Sequence, residues 1–303
     1  MPSSPLPAVS LAAVPGRRKT IVELAGEIES RGFSGIYCPS MGDGLGLCEA
    51  LALSTERIPF GTAIVNIYTR HVTDFAGTAA LIQELSGGRF LFGIGVSHQP
   101  VHKRLGVRAG KPLADTRAFV DEIGQVPRVG ELPPLVLAGL RQRMVALAGE
   151  IASGVVFANA ARSHMGTSLG VIPRERLDDP GFFVGNMVPI CISEDRAAAA
   201  AVNRRTLTGY AMLPNYRNYW KEAGYVEEME AVEKALEARE VERVPELLSD
   251  RWLADTTLFG TASEVREGAE AWVDAGVKTP ILVPSSAAGN QLVAFKELFD
   301  AYS

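Results

Sequence analysis

Short apolar runs alternate along this chain with stretches whose apolar residues recur every three or four positions. Runs of the first kind predict buried strands, and the second kind predicts helices packed on one face. The strand-like runs fall at residues 7–14, 35–39, 60–67, 90–94, 134–138, 154–157, 182–192 and 281–283. Ile21, Leu24, Ala25 and Ile28 share one helix face; so do Phe75, Ala79 and Ile82, and further on Met144, Leu147, Ala148 and Ile151. Gly32 and the Gly87-Gly88 pair stand where two helices should stop. Residues 47–55, 115–123 and 194–209 also read as helical. Thr261 and Glu264 have capping-box spacing for a helix carrying Val265, Ala269 and Trp272, and a last helix turns Leu292, Phe295 and Phe299 inward.

Eight strands alternating with helices predict an α/β fold, a (β/α)8 TIM barrel with right-handed crossovers. A doubly wound sheet is the other architecture with this alternation. Residues 162–179 read as loop, and Pro189 is expected to break the seventh strand. Residues 210–252 are polar, mostly helical and too long for an ordinary connection. They mark a helical insertion, about 210–260, between strands seven and eight.

A barrel of this length forms one domain, residues 1–303. The 30 Lys+Arg residues are outnumbered by 35 Asp+Glu, without the basic stripe that nucleic acid needs. Cys38, Cys48 and Cys191 have no metal-ligand spacing and make an odd count for a disulfide framework, so a reduced, cytoplasmic interior is expected. The positive charges Arg17, Arg18 and Lys19 follow the first apolar run, whereas a signal peptide carries them before it. No apolar run is long enough to span a bilayer, so a membrane partner is not expected.

In a barrel, chemistry collects where strands end. The fourth strand runs Phe90-Leu-Phe-Gly-Ile-Gly95 and then turns polar at Ser97, His98 and Gln99. Gly95 lets the backbone approach something closely, and Pro100 is expected to stop the strand and keep Gln99 extended. Gly93-x-Gly95 is not a dinucleotide fingerprint, since the third glycine position holds His98. The other strand ends bring Ser40, residues 66–71, Gly139-Leu140-Arg141 and Asn159. His71, His98, His102 and His164 are scattered, so no metal site is expected. No nucleophile elbow, phosphate loop or paired glutamates appear either. So few reactive side chains point to a bound organic cofactor that supplies the chemistry. Gly139 to Arg141, amides at a helix start beside a guanidinium, would suit its phosphate.

Two segments carry a resemblance. Glu56-Arg-Ile-Pro-Phe-Gly-Thr-Ala-Ile-Val-Asn-Ile-Tyr-Thr-Arg-His71 and Gly88-Arg-Phe-Leu-Phe-Gly-Ile-Gly-Val-Ser-His98 resemble the bacterial-luciferase-like superfamily. With Leu213-Pro-Asn-Tyr-Arg217 they resemble its deazaflavin branch, the F-420-dependent oxidoreductases of actinobacteria. The likeness runs from about residue 8 to 283. It implies a barrel whose strand ends hold the cofactor ring against a bulge in strand three, often with a non-prolyl cis peptide. By position this places Ala63, Ile64, Val65 and Asn66 at the ring, with Gly95, Ser97 and His98 facing it and Gly139, Leu140 and Arg141 at the phosphate. Two positions depart from the pattern: many relatives carry an acid or acid-His pair where this chain has Pro39-Ser40-Met41, and Thr-Pro where it has Asn159-Ala160.

The resemblance therefore implies an oxidoreductase passing a hydride between coenzyme F-420 and a small-molecule substrate. His98 is the expected proton-handling group, because its ordinary pKa lies near neutrality, with Ser97 beside it. Ser40, Tyr68, Tyr216 and Arg217 are expected to meet the substrate. An FMN-dependent monooxygenase on the same fold and a non-catalytic flavin- or deazaflavin-binding protein are the competing readings. A homodimer is expected too, since Tyr210, Met212, Tyr219 and Trp220 stand as apolar groups in polar surroundings.

Overall fold

The computed structural model describes residues 6–303. The strands are β1 (Ala8–Ser10), β2 (Ile36–Cys38), β3 (Phe60–Thr62), β4 (Val65–Asn66), β5 (Phe90–Gly95), β6 (Leu135–Ala138), β7 (Gly154–Ala158), β8 (Phe183–Ile192), β9 (Leu258–Gly260) and β10 (Thr279–Ser285). They form one sheet in the order β10-β1-β2-β3-β5-β6-β7-β8-β9. β4 pairs β5, and β10 pairs β8 as well as β1. The fold is thus the expected closed (β/α)8 barrel of eight parallel strands, with β4 continuing β3 past a bulge and β9 an added short strand. Closure of the main strands, β10 pairing both β1 and β8, is how such a barrel buries strands that are apolar on both faces.

By packing, the chain divides into two compact units, residues 1–157 with 171–185, and residues 158–170 with 186–303. The first is built on aromatic rings. Phe60, Phe75, Phe90 and Phe92 are fully buried, with centroids 5.8–5.9 Å apart along the series. Each such ring contributes roughly 1.5–3 kcal/mol relative to leaving it in water. The helix Val72–Leu85 buries Phe75, Ala79 and Ile82, the residues its spacing predicts. Gly87 and Gly88 end it at φ 63° and 85°, a left-handed backbone that glycine adopts without strain.

Arg89 sets the start of β5. Its guanidinium donates to the carbonyls of Ser86 (2.8 Å), Ile58 (3.0 Å), Ala52 (3.2 Å) and Thr55 (2.9 Å) and to the Thr55 hydroxyl (2.8 Å). Further along, β3 and β5 press together so closely that a Cβ on Gly93 would lie 1.8 Å from the Thr62 carbonyl oxygen. Only a glycine fits there.

β8 runs unbroken through Pro189, contrary to expectation. Proline's fixed φ belongs to the extended region, and its missing N–H removes only one ladder donor. The supposed loop at 162–179 also holds structure: a 3-10 turn at Arg162–His164 and five-residue helices at Met165–Leu169 and Arg174–Asp178. Helices this short leave no periodic signature. The insertion is helical as predicted, with Arg196–Ala211 leading into Pro214–Glu222, Val226–Glu237 and Asp250–Thr256. The Thr261–Glu264 capping box is present.

Tyr219 and Trp220 do not face outward. They are 1% and 0% exposed, and Trp220 meets Trp252 edge-on at 4.7 Å. Tyr216, four residues before Trp220, completes the same buried stripe, so these rings are the core of the insertion and not an apolar face for a second subunit.

Candidate active site

The bulge between β3 and β4 is the local feature on which the site is built. Thr62 donates its hydroxyl to the Gly93 carbonyl at 2.7 Å, and the next peptide bond, Ala63–Ile64, is cis. This falls inside the interval 63–66 expected from the sequence. β4 then pairs with the end of β5, Val65 opposite Ile94 and Asn66 opposite Gly95. The close approach expected of Gly95 is to protein: a Cβ there would stand 2.9 Å from the Ala138 Cβ and 3.1 Å from the Ile64 Cδ1. Gly95 therefore brings the bulge and the end of β6 together.

Asn66 is 4% exposed. Its Oδ1 accepts from the Tyr68 amide at 3.1 Å, which fixes the carboxamide, and its Nδ2 has no hydrogen-bond partner. A buried donor left unpaired costs about 1–3 kcal/mol, so the position is provided for an acceptor.

Beyond Gly95 the strand ends in a turn that puts Ser97 at φ 60°, a left-handed conformation uncommon for serine. His98 caps the helix Gln99–Leu105, with Pro100 in its first turn. Pro100 thus starts a helix instead of holding Gln99 extended, the position where its missing N–H costs nothing. The half-buried His98 imidazole is held below its ordinary pKa, first by burial and then by the neighbouring His102. Its neutral form therefore prevails at neutral pH.

Tyr68 leaves β4 and donates its hydroxyl to Asp115. Burial, and then that carboxylate, push the phenol well above its usual range, so Tyr68 keeps its proton. Gly139, Leu140 and Arg141 lie at the start of the helix Gln142–Ile151, Arg141 being the exposed residue before its first turn. Gly139 serves packing first: a Cβ there would come 2.8 Å from Val155 Cγ2. Ser40 is exposed just after β2. Among residues 6–303, no cluster of His, Cys, Asp and Glu could hold a metal ion, and no helix is long and apolar enough to cross a membrane.

In the second unit, Asn159 ends β7 at φ 56° and is 3% exposed. Its carbonyl accepts from Trp220 Nε1 at 3.1 Å. Asn186, inside β8 and fully buried, accepts from the Ala160 amide. The Nδ2 atoms of both asparagines lack partners. Asn186 was missed in the sequence, though an amide inside an apolar run was a legible signal. Tyr216 is buried, and Arg217 is absorbed by its own helices. Its guanidinium donates to the Ala211 carbonyl (2.9 Å) and Glu233 (3.2 Å), and Glu233 also binds Lys221 at 2.5 Å.

The comparisons with known proteins fit this geometry. A Mycobacterium tuberculosis protein named as a putative coenzyme F-420-dependent oxidoreductase is 27% identical over 281 residues, covering 77% of this chain and 81% of that protein. The coenzyme F-420-dependent tetrahydromethanopterin reductase of Methanopyrus kandleri matches in structure with a TM-score of 0.74 at 18% identity, over 98% of this chain and 96% of that one. An F-420-dependent secondary alcohol dehydrogenase, solved with an F-420–acetone adduct, matches with a TM-score of 0.71 at 15% identity, over 98% and 99%. At these identities the structural likenesses speak for the fold alone. The family model for luciferase-like monooxygenases spans residues 7–279, and by that match the chain belongs to the luciferase-like monooxygenase family.

Proposed function

We propose that this protein is an oxidoreductase that moves a hydride between coenzyme F-420 and a small organic substrate. The observation that carries the reading is the buried, unsatisfied Asn66 Nδ2 on β4, whose residue stands opposite Gly95, two residues before the Ser97–His98 turn. A ring with acceptor atoms along its edge fits the Asn66 donor, so the residues present suit a deazaflavin or flavin. The mycobacterial relative, named as F-420-dependent, favours the deazaflavin. When bound, it supplies or takes up the hydride at a ring carbon.

The protein's own residues do the rest. Asn66 orients the ring, Ala63, Ile64 and Val65 back it, and the turn from Gly139 to Arg141 takes the phosphate through amides and a guanidinium. Ser97 and His98 face the reacting centre, with Ser40 and Tyr68 toward the substrate. His98, neutral at rest, accepts the proton released when a hydroxyl is oxidised; in the reverse direction its protonated form returns it.

The test is a parallel titration of purified protein with F-420 and FMN. F-420 fluorescence should be quenched on binding, with FMN bound more weakly. Tighter FMN binding, or flavin co-purifying one to one, would sink the assignment.

A further inference from the structure

His102 lies one turn into the helix that His98 caps, and its ring is tied to the backbone of the site. Its Nε2–H donates to the Val96 carbonyl at 2.5 Å. That carbonyl belongs to the peptide leading into Ser97, whose φ of 60° is a left-handed conformation that persists only where its surroundings fix it. The His102 ring in turn meets Tyr68 edge-on, with centroids 5.1 Å apart and planes at 82°. Tyr68 donates to Asp115, and Asp115 also accepts from the Gly110 amide at 2.7 Å. Tyr68, His102 and Asp115 are all half-buried.

Three separate segments are thus linked in series to the Val96 carbonyl: the helix Pro112–Ile123 through Asp115, the chain after β4 through Tyr68, and the helix after β5 through His102, which alone touches it.

We propose that His102, backed by Tyr68 and Asp115, is a positioning residue that fixes the Val96 carbonyl, thereby the left-handed Ser97, and thereby the direction in which His98 presents its ring. The inference rests on the reading of His98 as the proton-handling group. It concerns a residue that touches neither substrate nor cofactor, and it gives Tyr68 a mechanical role in addition to any contact with substrate.

The experiment compares His102→Ala and His102→Gln in the full chain, by NMR of the Ser97 and His98 amides and the His98 ring, and by steady-state hydride transfer with F-420. His102→Ala should displace both amide signals and the His98 ring signals. It should lower kcat at least tenfold while F-420 affinity stays within a few fold. His102→Gln keeps an N–H donor and should restore both amide positions and most of kcat. Unmoved amides in His102→Ala, or a glutamine variant as impaired as alanine at equal thermal stability, would overturn the proposal. If His102→Ala does not fold, Tyr68→Phe tests the same chain from its far end and should shift the same two amides by a smaller amount; unshifted amides count against it. Full turnover in His98→Ala would instead refute the reading of His98, and the amide signals would still decide the role of His102.

Discussion

Two turns in this molecule end a barrel strand on a left-handed residue that is not glycine, Ser97 after β5 and Asn159 after β7. Their φ angles, 60° and 56°, match to within a few degrees, and they do different work. At Asn159 the unit's own core takes up the backbone groups of the turn. Its amide donates to the Met187 carbonyl (3.0 Å), its carbonyl accepts from Trp220 (3.1 Å), and the next two amides go to Asn186 and Tyr219. At Ser97 the turn is braced from behind by His102, and it keeps a titratable ring half-exposed at His98. An unusual dihedral is therefore not by itself a mark of function. What tells the two apart is the chemistry left over once the backbone is satisfied.

The largest way to test that contrast is His98→Ala. Turnover should fall by about 10²–10⁴-fold, the usual worth of a general acid–base group, with F-420 affinity within a few fold in a fluorescence titration. Full activity would move the proton to Ser97, Tyr68 or water. The pH dependence should follow the same ring. Because its folded pKa is held below the ordinary 6.5, the unfolded chain takes up a proton that the folded one refuses. Stability tied to His98 is then present above that value and lost as pH falls below it, and replacing His98 should flatten an acid melt in this window.

Next in size, and on the other turn, is Trp220→Ala. It removes a fully buried ring from the Tyr216–Trp252 stack together with the donor to Asn159, and about 3–5 kcal/mol should disappear from a urea melt. The smallest effects come from glycine. Ser97→Gly relieves the left-handed strain and should change stability by no more than about 1 kcal/mol while still impairing turnover. A loss of several kcal/mol in that melt would show that the serine side chain, and not the bracing from His102, holds the turn.

Much of this was legible because strands and amphipathic helices announce themselves by period. Phe75, Ala79 and Ile82, the Thr261–Glu264 box and the strand-four motif all behave as their spacing predicts. The misses have physical reasons. Tyr219 and Trp220 stand among Asn, Arg and Lys, and the burial of their side of the helix outweighs that polar company. Pro100 can end a strand or begin a helix, and only the chain after it decides which. The brace behind Ser97 joins Tyr68 to Asp115 across 47 residues, a contact no local pattern announces. Asn66 was legible by position, but the unpaired state of its Nδ2 was not.

The crowding at Gly93 has a consequence for anyone who wishes to redesign this enzyme. With the Thr62 oxygen 1.8 Å from where a side chain at Gly93 would begin, and Ala138 Cβ and Ile64 Cδ1 at 2.9 and 3.1 Å from one at Gly95, both glycines belong to the barrel frame. Variant libraries aimed at new substrates should hold 93, 95 and the Ser97–His98 pair fixed and spend their diversity at Gln99 and Ser40, two exposed positions at the strand ends.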